Sequence, residues 1–315
     1  MSTKNKVILC LPVFILFNCI VCLSQDSNKR RLDIILTGAV DFHIHSSPDV
    51  TDRSLTDFEI AALAQRRGLK AIVIKNHYSN TVGRAVLVNI AFDKIKVFGG
   101  VVLNKSVGGI NPEAVIAMYK MSAEYGKIVW FPTMDAAYYK KKLHQSGEGL
   151  TILKDNKISP QTIEVLKIIA KENLVLATGH LSPEEILLML PEAKKQGVNK
   201  ILITHAMGNA PGLLPNQMRE AIKMGAILEL TYLSYLSAKK NTDTTKSLTL
   251  AKMAQVIKEL GAEHFLVSSD LGQVGNPPPP DGLKIFVKML MAEGISPDEI
   301  DWMIKTNPGK LLGVQ

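Results

Sequence analysis

Five side chains whose types and positions suit metal chemistry follow short apolar runs. His43 and His45 lie in Asp41-Phe42-His43-Ile44-His45, His180 ends Leu-Ala-Thr-Gly-His, His205 ends Leu-Ile-Thr-His, and Asp270 ends Val-Ser-Ser-Asp. Side chains alternate along a strand, so the two-residue spacing puts both imidazoles of the first run on one face. Phe42 and Ile44 are then expected to face the other way, toward helices. Two imidazoles on one strand face can grip one metal ion, although the same spacing also suits exposed or hydrogen-bonded histidines. Placement of such residues at four separate run ends is what chance does not supply. Imidazole and carboxylate donors favour one or two divalent transition-metal ions, zinc first, in an open site that leaves a position for water.

These residues need strands to present them, and eight β-rich runs can be marked: 40–46, 70–77, 96–104, 128–135, 174–180, 200–206, 226–232 and 264–271. Helical patterns fill the intervals. Asn111-Pro112-Glu113 and Ser182-Pro183-Glu184-Glu185 each combine an N-cap, a first-turn proline and early acids. Gly68, Gly126, Gly197 and Gly261 stand where helices should stop before the next strand. Strands separated by helices run parallel, and eight such units with nearly continuous apolar runs predict a single (β/α)8 TIM barrel, of the α/β class. No glycine-rich phosphate loop follows the first run, which argues against a dinucleotide-binding sheet. Functional groups of such a barrel project from the C-terminal strand ends, where the five residues lie.

The chain has 315 residues and a formal charge of +8. Lys4 and Lys6 precede an apolar stretch from Val7 to Leu23 without an acid, so residues 1–24 are expected to be a secretory signal peptide. The alternative is a retained anchor, which the stretch is barely long enough to form. Residues 25–36 are expected to form a polar tether and 37–315 the barrel domain, exported to the periplasm or secreted. Cys10, Cys19 and Cys22 all lie in the leader, which leaves no cysteine for disulfides or thiolate ligands in the remainder. Leader removal takes the formal charge from +8 to +6. That charge is scattered without a basic stripe, so neither nucleic acid nor, after cleavage, a membrane is the expected partner.

Other polar residues are weighed by position. In Ile74-Lys75-Asn76-His77, alternation puts Lys75 and His77 on the metal-facing side if Val73 points into the barrel. A lysine there needs a partner or a task. Lys75 and His77 are therefore candidate substrate-binding residues for a small, anionic molecule; a carbamate on Lys75 and a salt bridge are the other readings. Arg84 is expected either to add a second positive group or to lie exposed on a helix. Asp135 reads as a loop cap or a carboxylate bridge, and Glu229 either enters the pocket or pairs with a buried base. His264 is expected at the barrel floor and His144 on the surface. Tyr138, Tyr139, Tyr232 and the run Pro277–Pro280 are candidates for the pocket rim.

The ordered set of His-x-His on the first strand, histidines on the fifth and sixth, and aspartate on the eighth resembles the amidohydrolase superfamily. The closing stretch Thr306-Asn307-Pro308-Gly309-Lys310-Leu311-Leu312-Gly313 is similar to the last helix of many members. The resemblance implies a metal-dependent hydrolase acting on an amide, ester or lactone, with phosphoesters as a further option. It implies that His43, His45 and Asp270 hold the catalytic ion. His180 would complete a one-metal site or join His205 on a second metal. Asp270 would accept the proton of an attacking water that the ion acidifies, and in one-metal relatives His205 would polarise the substrate. The chain departs from the two-metal pattern, because no lysine or glutamate ends the fourth run, Trp130 to Asp135.

Asp41 to Ser47 is also similar to the opening of polymerase-and-histidinol-phosphatase-type phosphoesterases, but the middle strands lack the further histidines and acids of that family. A non-catalytic metal- or ligand-binding envelope protein is the reading from another class, and metal content separates it from an enzyme.

Overall fold

Eight strands pair side by side in one parallel sheet. They are β1 (Val40–Ile44), β2 (Ala71–Ile74), β3 (Lys96–Val102), β4 (Gly126–Trp130), β7 (Val175–Ala177), β8 (Ile201–Ile203), β9 (Ala226–Thr231) and β10 (Phe265–Ser268). Two short strands, β5 (Leu153–Lys154) and β6 (Lys157–Ile158), form a separate antiparallel hairpin that the periodicity did not announce. The computed structural model describes residues 35–240 and 248–314, so the proposed leader and most of the tether lie outside the described residues. Among the described residues no helix is long and apolar enough to cross a membrane.

The sheet closes on itself between its first and last strands. His45 N donates to Leu271 O at 2.8 Å, Asp270 N donates to His43 O at 2.8 Å, and Ile44 bridges Leu271 in parallel. Closure satisfies the edge groups that an open sheet leaves unpaired. The expected (β/α)8 barrel is the architecture observed.

Two apolar clusters follow from the alternation. One fills the space between strands and helices. The other fills the barrel with Val40, Phe42, Val73, Phe98, Trp130 and Leu202, and includes Leu311 and Leu312 of the closing helix Asn307–Leu312. Phe42 therefore faces inward, against expectation. The register between β1 and β2 shifts between Asp41 and Ile44, where three steps on β1 match two on β2. Such a bulge lets consecutive residues share a side, so Phe42 and His43 both turn into the barrel while Ile44 joins the outer cluster.

The helix signals hold where the caps close. Asn111 accepts from Glu113 N ahead of the helix Pro112–Met121, and Ser182 forms a capping box with Glu185 ahead of Pro183–Lys195. Gly68, Gly197 and Gly261 follow helices with positive φ, whereas Gly126 opens β4 without it and is not a helix terminator. The proline run is only half a loop: Pro279 and Pro280 form the buried first turn of the helix Pro279–Ala292.

Candidate metal centre

Strand ends bring His43, His45 and Asp270 together. His43 Nε2 lies 3.0 Å and His45 Nε2 3.2 Å from the same oxygen, Asp270 Oδ1. One donor atom from each of these buried residues lies within 4.8 Å of the others. Two imidazole nitrogens and a carboxylate oxygen around one point fit a single divalent ion. His43 is oriented from behind, where its Nδ1 lies 3.1 Å from Glu229 Oε1. That contact leaves the Nε2 lone pair for the ion, the arrangement by which outer carboxylates fix a ligating imidazole. Glu229 also accepts from Ser268 Oγ at 2.6 Å and His205 N at 2.9 Å. Of the two readings of Glu229, pairing with a buried base is the one observed.

The backbone is bent to make the cluster. Asp270 and His205 have φ of 53° and 29°, outside the regions that residues other than glycine prefer. His180 is turned inward by Gly179 at φ 61°, where a Cβ would overlap the Phe131 carbonyl. Gly272 lets the loop after β10 pass against the His45 carbonyl, which a Cβ would occupy.

His180 and His205 line the same cavity of about 360 Å³ as His45, Lys75, His77 and Asp270. The His180 and His205 ring centroids are 4.8 Å apart, and the His45 and His77 centroids also 4.8 Å apart. His180 and His205 thus stand beside the three-residue group and are not part of it. Lys75 does face the metal side. Its Nζ lies 3.1 Å from His43 Nε2 and 5.5 Å from the Trp130 ring centroid. Because Lys75 Nζ contacts the nitrogen that would bind an ion, a protonated Lys75 and a cation compete there.

Electrostatics prepare the donors. Burial lowers His45 to about 4 and His205 in the same direction, so both imidazoles are neutral near pH 7 and able to donate lone pairs. His77 and His180 lie well below the usual histidine range, again through burial first. Burial brings Lys75 down to about 8. For Asp270 burial acts upward, but electrostatic attraction to His43 and the His45 hydrogen bond outweigh it and hold the carboxyl well below the usual carboxylate range.

Several expected roles change. Asp135 accepts from Lys105 N at 2.9 Å and caps a loop; it bridges nothing in the cavity. Arg84 is neither exposed nor a substrate group: Nε and Nη2 each lie 2.7 Å from Asp57, and Nη2 reaches Ser46 O at 3.0 Å. Tyr139 lines the cavity, its ring 4.4 Å from that of His180. Tyr138 instead donates to Pro211 O at 3.2 Å, and buried Tyr232 stacks on Phe286. His144 is exposed, and His264 precedes β10 at the opposite end from the cluster. Arg53 lines the cavity and had no signal in the sequence, because it lies in an irregular loop without periodicity.

Among solved structures, the chain is similar to an organophosphorus hydrolase from Deinococcus radiodurans, at 16% identity and a TM-score of 0.57 over 89% of this chain and 94% of that one. It is similar to an amidohydrolase from Pseudomonas aeruginosa at 10% identity and 0.59, over 90% and 97%. A third similar structure, described as a probable 2-pyrone-4,6-dicarboxylic acid hydrolase from Acinetobacter baumannii with citric acid bound, has 12% identity and 0.55, over 88% and 100%. At these identities the likeness establishes a shared fold. No curated protein matches the chain. Residues 38–229, from before His43 to Glu229, match a family model, and the chain belongs to that family, described as a family of unknown function, DUF6282.

Proposed function

We propose that this protein is a metal-dependent hydrolase that cleaves an amide, ester or lactone bond of a small molecule, with a phosphoester as the further option. The observation that carries the reading is the convergence of His43 Nε2 and His45 Nε2 on Asp270 Oδ1 at a buried cavity end, with Glu229 behind His43. Similar folds among solved hydrolases support it.

In this reading His43, His45 and Asp270 hold one divalent ion, zinc by the chemistry of the donor set. Such an ion, when bound, acidifies water and polarises the bond to be cleaved. Asp270 receives the proton of the attacking water. His205 and His180, neutral at the cavity wall, polarise the substrate or support a second ion, and Lys75 and His77 contact its polar groups. Trp130, Val73 and Phe98 seal the barrel below the site, which keeps bulk water from its inner side. We further propose export to the periplasm or beyond, on the Lys4 to Leu23 pattern.

Elemental analysis of purified protein by mass spectrometry tests the reading, comparing wild type with the His43→Ala, His45→Ala double variant. About one equivalent of transition metal, lost in the variant, is expected, together with turnover of an ester, lactone or amide. A wild type that takes up no metal after reconstitution would sink the hydrolase and leave the non-catalytic binding protein. Metal without turnover on these classes, but with phosphoester cleavage, would move the chemistry to phosphorus.

A further inference from the structure

Arg53 is fixed at the cavity wall more firmly than a loop arginine needs to be. Its backbone forms an antiparallel bridge with Gln273, and the next amide, Ser54 N, donates to Gly272 O at 2.8 Å. The loop after β1 is thus tied to the loop after β10. Its side chain is held at one end only. Nε donates to Asp49 Oδ2 at 2.6 Å, and the Asp49 side chain is fully buried.

The other edge of the guanidinium is little used. Nη2 makes a long contact of 3.4 Å with His45 Nδ1, and Nη1 has no hydrogen-bond partner among the described residues. Unlike Nη1 of Arg84, it is not sealed in the interior. A guanidinium offers two parallel N–H groups along that edge, the spacing of a carboxylate. A charged edge without a full partner, on a side chain already immobilised through Nε, costs little entropy to engage.

The rest of the lining decides which anion fits. Thr51, Asn209, Ser234, Ser237 and Gln273 are neutral hydroxyls and amides. The other cation, Lys75, points to His43 and the Trp130 ring. One little-used guanidinium edge among neutral hydroxyls and amides suits a monoanion better than a phosphate dianion, which would call for further cations.

We propose that Arg53 is a specificity-determining residue that binds a carboxylate of the substrate, so that the substrates are small carboxylic acids carrying a hydrolysable bond. The inference rests on the hydrolase reading for the bond that is broken, but not for the binding itself.

Isothermal titration tests it with one carbon skeleton in three charge states: succinate, succinamate and the neutral succinamide, with inorganic phosphate as the competing anion. Zinc-loaded wild type, Arg53→Met and Arg53→Lys are compared, with zinc content and thermal midpoint measured on each. Wild type is expected to bind succinate and succinamate well above succinamide. Arg53→Met should weaken both acids by about ten-fold or more and leave succinamide unchanged, while Arg53→Lys recovers part of the loss. Zinc content should stay at the wild-type level, while the thermal midpoint of Arg53→Met should fall because the buried Asp49 carboxylate loses its partner.

Equal acid binding in wild type and Arg53→Met would overturn the inference, as would wild type that binds no acid. Tighter Arg53-dependent binding of phosphate would overturn the carboxylate assignment. Loss of zinc in Arg53→Met would reassign Arg53 to holding His45. None of these readouts needs turnover. A wild type without metal would fail the hydrolase reading, while the same titration on the metal-free chain would still decide the role of Arg53.

Discussion

Glu229 Oε1 lies 3.1 Å from His43 Nδ1, and the same buried carboxylate accepts from the backbone N of His205, so one group fixes residues from two strand ends. Glu229→Gln keeps the size but removes the charge that holds the His43 proton on Nδ1. Loss of such an outer partner costs about ten- to a hundred-fold in metal affinity. Competition with a chromogenic chelator should therefore show zinc affinity falling by that factor, with an unchanged circular-dichroism spectrum. Wild-type affinity in the variant would mean that packing alone orients His43.

Much of this arrangement was legible from the sequence. Alternating apolar runs and capped helices specify the barrel, and His43, His45 and Asp270 end their runs where barrel chemistry sits. The orientation of Phe42 was not legible, because the bulge between Asp41 and Ile44 breaks the two-residue period of the strand. Arg53 and the Arg84–Asp57 pair were hidden for another reason. Arg53 meets its partners through loops and barrel closure, and Arg84 meets Asp57 where the helices Asp57–Arg66 and Val82–Ala91 pack together, neither of which a local pattern encodes.

Asp41 gives a pH signature. It is fully buried, its Oδ2 has no partner among the described residues, and burial pushes its carboxyl up to about 7 against hydrogen bonds from Ser269. The folded chain thus holds this proton more tightly than the unfolded one, with its ordinary value of 3.8. The contribution to stability is complete below that value and is lost as pH rises through about 7. Asp41→Asn abolishes it. Denaturant melts of metal-free protein should show the variant gaining on wild type between pH 4 and 8, by up to a few kcal/mol. Subtraction of the two profiles removes the titration of the neighbouring histidines. A difference that does not change with pH would show that Asp41 is ionised in the folded chain throughout.

Gly272 has φ 132°, and a Cβ there would overlap the carbonyl oxygen of His45. Gly272→Ala must move the loop after β10 or the end of β1. Expected are a loss of about 2 kcal/mol or more and weaker zinc binding, since His45 moves with its carbonyl. A melt of metal-free protein and a chelator competition separate the two effects. Unchanged zinc affinity in a destabilised variant would show that the loop yields and β1 does not.

Arg84 and Asp57 connect stability to the site by a different route. Arg84 reaches Asp57 through two bonds of 2.7 Å and Ser46 O at 3.0 Å, while Ser46 Oγ donates to Asp57 at 2.5 Å. Ser46 follows His45 directly, so this network clamps the chain where it leaves the His43–His45–Asp270 group. Arg84→Met leaves the Asp57 carboxylate buried with a hydrogen bond from the Ser46 hydroxyl but no counter-charge, and should cost about 3 kcal/mol. Asp57→Asn alone should cost less, because Ser46 and Arg84 keep an acceptor there. The double variant removes both charges and should recover part of the Arg84→Met loss, giving a coupling energy of at least about 1 kcal/mol in a thermal-melt cycle. Additive losses would mean that Arg84, on the helix Val82–Ala91, acts through its packing and that the ion pair adds nothing to stability.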